Sequence, residues 1–260
     1  MNVIKCITII GTGNVASQIA NKFSQEGYLI DAIYGRPNSN GNNLAKQTNS
    51  IFINEPRKLP ESSDLYIVAL KDDCYMEVLK ELDLAGKLII HTSGSLKSDS
   101  LAPISNRHGC LYPLQTITKS HEVNWDNVSF YIEANNENDE KSLMKLCEKL
   151  SFKYQKADST QRSHLHIAAV ATNNFTYHLL STIREYCEKN NLNYNDLKPL
   201  LEQSMVNSFA EEKYNLQTGP AVRNDRNLIE KHLNDLRNDK NLKEIYEIFT
   251  HQIIKRHHEL

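Results

Sequence analysis

The chain carries almost no net charge: 30 Lys and Arg against 32 Asp and Glu leave −2 at pH 7. Without a basic footprint, a nucleic-acid partner is not expected. No apolar run approaches the roughly 18 residues that a membrane span needs. Strand-like residues begin almost at Met1, with no charged-then-apolar leader ahead of them. These absences predict a cytoplasmic protein with no membrane partner. Cysteine is sparse. Cys6, Cys74, Cys110, Cys147 and Cys187 are odd in number and scattered, and none forms C-x-x-C, so plain thiols in a reducing compartment are expected. His164-x-His166 and His257-His258 lack a carboxylate or cysteine at ligand spacing to complete a set, so no metal is expected. There is no internal repeat and no long low-complexity linker.

What is present fits one large domain or two modest ones: 260 residues, 40% of them hydrophobic, enough for a sizeable core. The organising stretch is Ile7-Thr-Ile-Ile-Gly-Thr-Gly-Asn-Val-Ala16. An apolar run ends in Gly11-Thr12-Gly13, and Asn14, Val15 and Ala16 open an amphipathic segment that Gly27 closes. Strand, glycine turn and helix in that order form the dinucleotide-binding fingerprint, with Ala16 where a third glycine often stands. Gly11 permits the tight turn, and Gly13 lets backbone approach a pyrophosphate. Ala16 lets the helix pack close to the strand. The phosphates would then meet free N–H groups at a helix N-terminus, where the macrodipole favours negative charge.

Leu29–Tyr34 reads as the second strand and ends in Gly35-Arg36. An Asp or Glu at this point would meet the adenine ribose of NAD. None stands here, and Asp31 lies too early, inside the strand. Arg36 can instead pair with a 2′-phosphate in forked geometry, which favours NADP over NAD. The alternative is a solvated surface arginine. Leu65–Leu70 is a strong strand whose end, Leu70-Lys71, lies where ligands of open α/β sheets bind; Asp73, just beyond, is also placed to cap a helix Cys74–Leu82. Leu88–His91 is a further strand, followed by Thr92-Ser93-Gly94-Ser95. That turn either lines a nicotinamide site or simply caps the next helical turn. Cys110–Ile117 is strand-like and contains Gln115. Strands at 50–53, 128–133 and 152–156 with helices at 42–49 and 139–150 complete repeated βαβ units. The expected fold class is α/β, a Rossmann-type doubly wound, mostly parallel sheet.

From about Ser159 only helical periodicity remains. One long helix is expected to run to about Glu188, then Leu197–Phe209 capped by Asn195 or Asp196, a Gly219-Pro220 loop, and helices at 227–236 and 242–254. The expected division is a nucleotide-binding domain over 1–157 and an all-α domain over 158–260.

Five segments in order carry a resemblance: Gly11-Thr-Gly-Asn-Val-Ala16, His91-Thr-Ser-Gly-Ser-Leu96, Tyr112-Pro-Leu-Gln-Thr116, Ala168-Ala-Val-Ala-Thr-Asn-Asn-Phe175 and Thr218-Gly-Pro-Ala-Val-Arg-Asn-Asp225. Over essentially its whole length the chain resembles a bacterial family that joins a Rossmann-like domain to a C-terminal domain of unknown function and is described as NADP oxidoreductases. It is similar also to pyrroline-5-carboxylate reductase, and more distantly to 6-phosphogluconate and 3-hydroxyisobutyrate dehydrogenases. The resemblance implies a helical domain that pairs two subunits, an active site in a cleft between the domains, and no established substrate. Two departures stand out. The 3-hydroxyacid dehydrogenases carry a lysine one helical turn before an asparagine; here Asn173 and Asn174 are preceded by Ala169 and Val170. Family members commonly carry a histidine before the Pro-Leu-Gln motif, where this chain has Tyr112.

Hydride transfer needs a positioned nicotinamide and a polarised acceptor, and imine reduction manages with a weak proton donor. Ser93, His166, Asn174 and Gln115 are the candidates. His166 precedes the asparagines by about two helical turns on their face, or else it packs as a hydrogen-bonded interface histidine. Asn174 orients a substrate or the nicotinamide carboxamide, or satisfies a buried backbone group. Gln115 and Arg223 are candidates for holding substrate, Arg223 as a carboxylate clamp that can reach across a dimer. Asp225, placed with it, otherwise pairs with Arg223 and caps the next helix. His232, seven residues on, belongs to the same cluster or stands apart. The leading expectation is an NADP-dependent reductase or dehydrogenase of a small carbonyl, imine or hydroxy acid. The alternative is a dimeric NADP(H)-binding sensor without turnover, motivated by the missing lysine.

Overall fold

The computed structural model describes residues 3–37, 39–119, 121–210 and 216–258. The chain divides into two compact units, Met1–Val170 and Ala171–Leu260.

The first unit is built on eight strands: β1 (Cys6–Ile10), β2 (Leu29–Tyr34), β3 (Ile51–Ile53), β4 (Leu65–Val68), β5 (Leu88–His91), β6 (Arg107–Leu114), β7 (Ser129–Ala134) and β8 (Lys153–Lys156). They lie in the order β3-β2-β1-β4-β5-β6-β7-β8. All neighbours run parallel except β6 and β7. The sheet reverses winding direction between β1 and β4, and that point is where doubly wound folds hold a dinucleotide. Helices α1 (Asn14–Gln25), α2 (Gly41–Gln47), α3 (Tyr75–Leu79) and α4 (Glu137–Lys149) connect the strands.

The strands are apolar without interruption because both faces are covered. Alternation sends Ile7, Ile9, Leu65, Ile67, Leu88 and Ile90 into one cluster with Phe23 of α1 and Leu143, Leu146 and Cys147 of α4. Ile10, Tyr66, Val68 and Ile89 go into the other, with Tyr75 and Leu79 of α3. On α1 the buried set is Ala16, Ser17, Ile19, Ala20 and Phe23, the stripe expected of a helix laid on a sheet.

Two elements differ from the sequence expectation. β6 starts at Arg107 rather than Cys110 and stops at Leu114. Arg107, His108 and Gly109 hide the strand because none reads as apolar, yet a Cβ on Gly109 would lie 2.3 Å from the Glu133 carbonyl oxygen. The helix expected over Cys74–Leu82 is a 3-10 turn, Asp72–Cys74, followed by the five residues of α3; Leu82 and Leu84 are buried from the turn beyond it.

After β8 the chain is helical, as the change of pattern near Ser159 indicates. Helix α5 (Ser159–Ala169) opens with a reciprocal capping box between Asp158 and Gln161 and packs within the first unit. A π-helical segment, Val170–Phe175, follows, and the division into units falls at its first residue. The second unit holds α6 (Thr176–Lys189), α7 (Lys198–Ser208), α8 (Arg226–Asp235) and α9 (Lys240–His258). The turn ahead of α7 is capped by Asn193, whose side chain accepts from Asn195 N–H at 3.2 Å, rather than by Asn195 or Asp196. Asn193 lies one 3-10 turn before α7, which itself has no side-chain cap.

Candidate functional site

The glycine turn is set by sterics. Gly11 has φ of +129°, and a Cβ there would lie 2.2 Å from the Ala69 carbonyl oxygen, so the crossing of β1 past β4 excludes any side chain. Leu70 sits against the same turn, its Cδ2 3.5 Å from that Cβ position. Gly13 is the residue before α1, and a Cβ on it would meet nothing within 4 Å. The start of α1 has no side-chain cap and no acid in its first turn. Open space, uncapped N–H groups and the positive end of the helix dipole make a cradle for a diphosphate. Ala16 is fully buried, as close helix–strand packing requires. Thr12 lies against Gly35: a Cβ on Gly35 would come within 2.6 Å of the Thr12 methyl. Asn14 is exposed, its amide donating to the Ile117 carbonyl at 3.2 Å, and Val15 packs on the core.

Arg36 emerges beyond β2, exposed. Its guanidinium has no hydrogen-bond or ion-pair partner among the described residues. Its charge opposes the rise that Asp73 imposes on the Cys74 thiol, which places it alongside the 3-10 turn after β4. A cation left unpaired at the end of β2 is what a 2′-phosphate requires. Lys71 begins that 3-10 turn and is exposed.

The ends of β4 and β5 are joined. Thr92 N–H donates to the Val68 carbonyl at 3.2 Å. Asp72 accepts from the Ser93 hydroxyl at 3.1 Å and from the Ser95 hydroxyl at shorter range. The Ser93 oxygen in turn accepts from Ser95 N–H and Leu96 N–H, each at 3.2 Å. Ser93 N–H donates to Nδ1 of buried His91 at 3.2 Å, and burial, with the nearby Arg162 charge, pulls His91 down from 6.5 to about 3. The ring is therefore a neutral acceptor that pins the turn from below.

Arg162 is the largest fully buried side chain of the first unit. It pairs with Glu133 at the end of β7, and donates to the Leu96 carbonyl and to Ser159 Oγ, the last at 3.2 Å. Ser159 Oγ donates to Glu133 at 2.8 Å and accepts from Ser98 N–H at 2.9 Å. One guanidinium thus ties α5 to the turn after β5. One helical turn on, His166 is set against Gly94 and Tyr112. Its Nδ1 lies 3.1 Å from the Tyr112 hydroxyl, with the rings edge to face at 5.9 Å and 78°. A Cβ on Gly94 would lie 2.7 Å from His166 Nδ1 and 2.8 Å from Tyr112 Cζ. Tyr112 is 8% exposed, and burial raises its hydroxyl above the ordinary value of 10.

The structure thus brings Gly11–Ala16, Leu70, Lys71, Thr92, Ser93 and His166 to the C-terminal edge of the sheet. Gln115 follows β6 there, exposed, its Oε1 taken up by Thr116 N–H at 2.8 Å. The remaining predicted residues lie in the second unit. Asn174 is exposed within the π segment and accepts from the Asn173 amide at 2.9 Å. Asp225 caps α8 through Leu228 N–H at 3.1 Å, and no ion pair joins it to Arg223 among the described residues. Arg223 is exposed. His232 bonds to the Tyr246 hydroxyl at 2.8 Å instead of joining Asp225.

Glu133 and Arg162 have no place in the sequence reading of the site, and Asp72 and His91 enter it only as members of the stretches after β4 and at the end of β5, with no role of their own. Glu133 carried a signal, an acid closing an otherwise apolar strand, and so did Arg162, four residues before His166 on the same helix face. Among the described residues no group of three metal-binding side chains occurs, and no helix is long and apolar enough to cross a membrane.

A doubly wound sheet with a bare glycine cradle at its switch point defines a dinucleotide-binding protein. Two family profiles match the sequence: an NADP oxidoreductase, coenzyme F420-dependent, over residues 6–94, and a domain of unknown function, DUF2520, over 128–253. A Bacteroides fragilis protein with the provisional name of NADP oxidoreductase is 32% identical, with 97% of this chain and 98% of that chain covered and a TM-score of 0.87. The chain belongs to that family of Rossmann-like NADP oxidoreductases with a helical C-terminal domain. Two solved structures share the fold. An Aspergillus terreus reductive aminase in complex with NADPH is 15% identical, covering 98% and 95% of the two chains, with a TM-score of 0.72. A Streptococcus pyogenes 1-pyrroline-5-carboxylate reductase is 16% identical, covering 96% and 98%, with a TM-score of 0.59. No curated protein matches the sequence.

Proposed function

We propose that the protein is an NADPH-dependent reductase of a small carbonyl or imine compound, with His166 as proton donor. The observation that carries this reading is the alignment of three features along one sheet edge: the open cradle at Gly13, the unpaired Arg36, and the Tyr112–His166 pair beside the turn at Thr92. NADPH, when bound, supplies the hydride. Gly11, Thr12, Gly13, Asn14, Val15 and Ala16 would hold its diphosphate at the α1 N-terminus, and Arg36 would hold the 2′-phosphate. Leu70, Lys71 and Thr92, at the ends of β4 and β5, would complete the cofactor site. Ser93 keeps the turn rigid, because its hydroxyl proton is engaged by Asp72. His166 gives a proton to the carbonyl oxygen or imine nitrogen as hydride reaches the carbon.

Gln115 is a polar contact for the substrate in the first unit; in the second, Asp225 fixes the loop that carries Arg223, whose exposed guanidinium, like the Asn174 amide, is available to a carboxylate or polar ligand. The apolar side chains that α6 and α7 leave exposed, among them Tyr177, Leu200 and Val206, support a homodimer formed through the helical unit. The names of the solved relatives, a pyrroline-5-carboxylate reductase and a reductive aminase, support the imine side of the substrate class.

The test is NADPH oxidation, followed by loss of absorbance, against cyclic imines and 2-oxo acids. Turnover of one of them that falls at least about a hundredfold in His166→Gln supports the reading. Saturable NADPH binding with no turnover across the set would replace it with the sensor.

A further inference from the structure

The hydroxyl of Tyr112 meets His166 Nδ1 at 3.1 Å. A phenol hydroxyl is both donor and acceptor, and an imidazole nitrogen is one or the other according to its protonation. When His166 is neutral, the phenol can donate to a bare Nδ1. When His166 is the imidazolium, Nδ1–H can donate to the phenol oxygen. The ring keeps one partner and one orientation in both states, and in both the hydrogen at Nε2 remains. A carboxylate or backbone carbonyl could not do this, because each only accepts.

The pair is enclosed by its surroundings. Gly94 is buried, and the space its side chain would fill is taken by both rings, with gaps of 2.7 Å and 2.8 Å to the missing Cβ. Arg162, one turn earlier on α5 and itself held by Glu133 and Leu96, fixes the helix so that His166 cannot withdraw. Burial keeps the Tyr112 proton on its oxygen.

We propose that Tyr112 is a positioning residue whose hydroxyl holds His166 with Nδ1 inward and Nε2 outward, so that the resting ring, neutral or protonated, presents an Nε2–H donor to the substrate and is without it only between proton transfer and reprotonation. The catalytic consequence rests on the reading of His166 as proton donor. In the reducing direction the carbon of C=O or C=N accepts hydride. Its π electron pair moves onto oxygen or nitrogen, and that atom takes the Nε2 proton from the imidazolium. The neutral ring is left with its hydrogen on Nδ1, bonded to the phenol oxygen, and Nε2 takes up a proton from water.

The test uses the full chain, with the His166 ring nitrogens assigned by nitrogen NMR against His166→Gln. In the wild type at a pH where the ring is neutral, we expect a fully protonated Nε2, a bare Nδ1, and a Tyr112 hydroxyl proton slow enough in exchange to be seen. Tyr112→Phe should remove that proton and draw the two nitrogen shifts together. Gly94→Ala should do the same with the hydroxyl still present. Nitrogen shifts left as in the wild type by both variants would overturn the proposal. With an acceptor that the panel above identifies, Tyr112→Phe should lower kcat about tenfold, with NADPH affinity and KM within about twofold. Full turnover in His166→Gln would sink the proton-donor reading while leaving the nitrogen spectra as the separate measure of what Tyr112 does.

Discussion

The two units treat their apolar residues in opposite ways. In the first, strands and helices bury theirs on both faces of one sheet, and the largest buried side chain is a paired arginine. In the second, Cys187, Ala221, Ile229 and Leu236 are the buried apolar residues among those described, while Tyr177, Leu200, Val206 and Phe209 are 74%, 67%, 67% and 84% exposed. The first unit therefore has a core of its own. The second carries helices on which several large apolar side chains stay exposed. Helical periodicity specifies which residues share a face. It does not specify whether the cover for that face comes from the same chain.

The largest expected effect is at the centre of the first unit. Arg162→Ala removes one partner of a buried ion pair and should cost about 3–5 kcal/mol in urea unfolding, concentrated in residues before Val170. If the loss fell on the helical unit instead, the contrast would fail.

Acid should act on the same unit. His91 is held near 3 in the fold against 6.5 ordinarily. Below about 6.5 the unfolded chain takes up a proton that the folded chain refuses. Stability present above that pH is thus lost as pH falls towards 3, by up to about 1.4 kcal/mol per pH unit. His91→Gln should flatten the dependence, read from unfolding midpoints at several pH values.

Gly11→Ala places a side chain on the Ala69 carbonyl at positive φ. A cost of about 1–3 kcal/mol is expected, together with loss of NADPH binding by calorimetry. Arg36→Ala should leave the fold intact and weaken NADPH about 10- to 100-fold, with NADH unchanged; equal weakening of both cofactors would remove the 2′-phosphate assignment. The smallest effect on stability belongs to the second unit. Val206→Lys should change the unfolding free energy by less than about 0.5 kcal/mol per chain at concentrations where chains are separate, yet shift sedimentation towards monomer. An unchanged oligomeric state would argue against a dimer through α7.

Most of the first unit was legible because its signals are local. Val15, Ala16, Ile19 and Phe23 declare a helix, Leu88–His91 declares a strand, and Gly11 and Gly13 stand where a turn must bend and open. β6 was displaced by three residues because Arg107, His108 and Gly109 do not look like a buried strand, although pairing with β7 makes them one. The glycine turn between β1 and α1, and the place of Arg36 just past β2, could be read from spacing alone. The Asp72–Ser93 bridge and the Glu133–Arg162 pair could not, since they join residues 21 and 29 positions apart, and no periodicity records which polar groups meet across a sheet. The cap ahead of α7 was misplaced by two or three residues because Asn193, Asn195 and Asp196 are all competent caps, and only the backbone chooses.

The anchoring of α5 has a practical consequence for recombination between relatives. A chimera that exchanged the helical part at the end of β8 would separate Arg162 and Ser159 from Glu133, and would strand a carboxylate among partners from another lineage. Joined within the π-helical segment beyond Val170, the same exchange keeps that network with its own sheet. The crossover point for inherited or designed hybrids of this architecture is thus set by one buried guanidinium, and falls beyond Val170 although the last strand ends at Lys156.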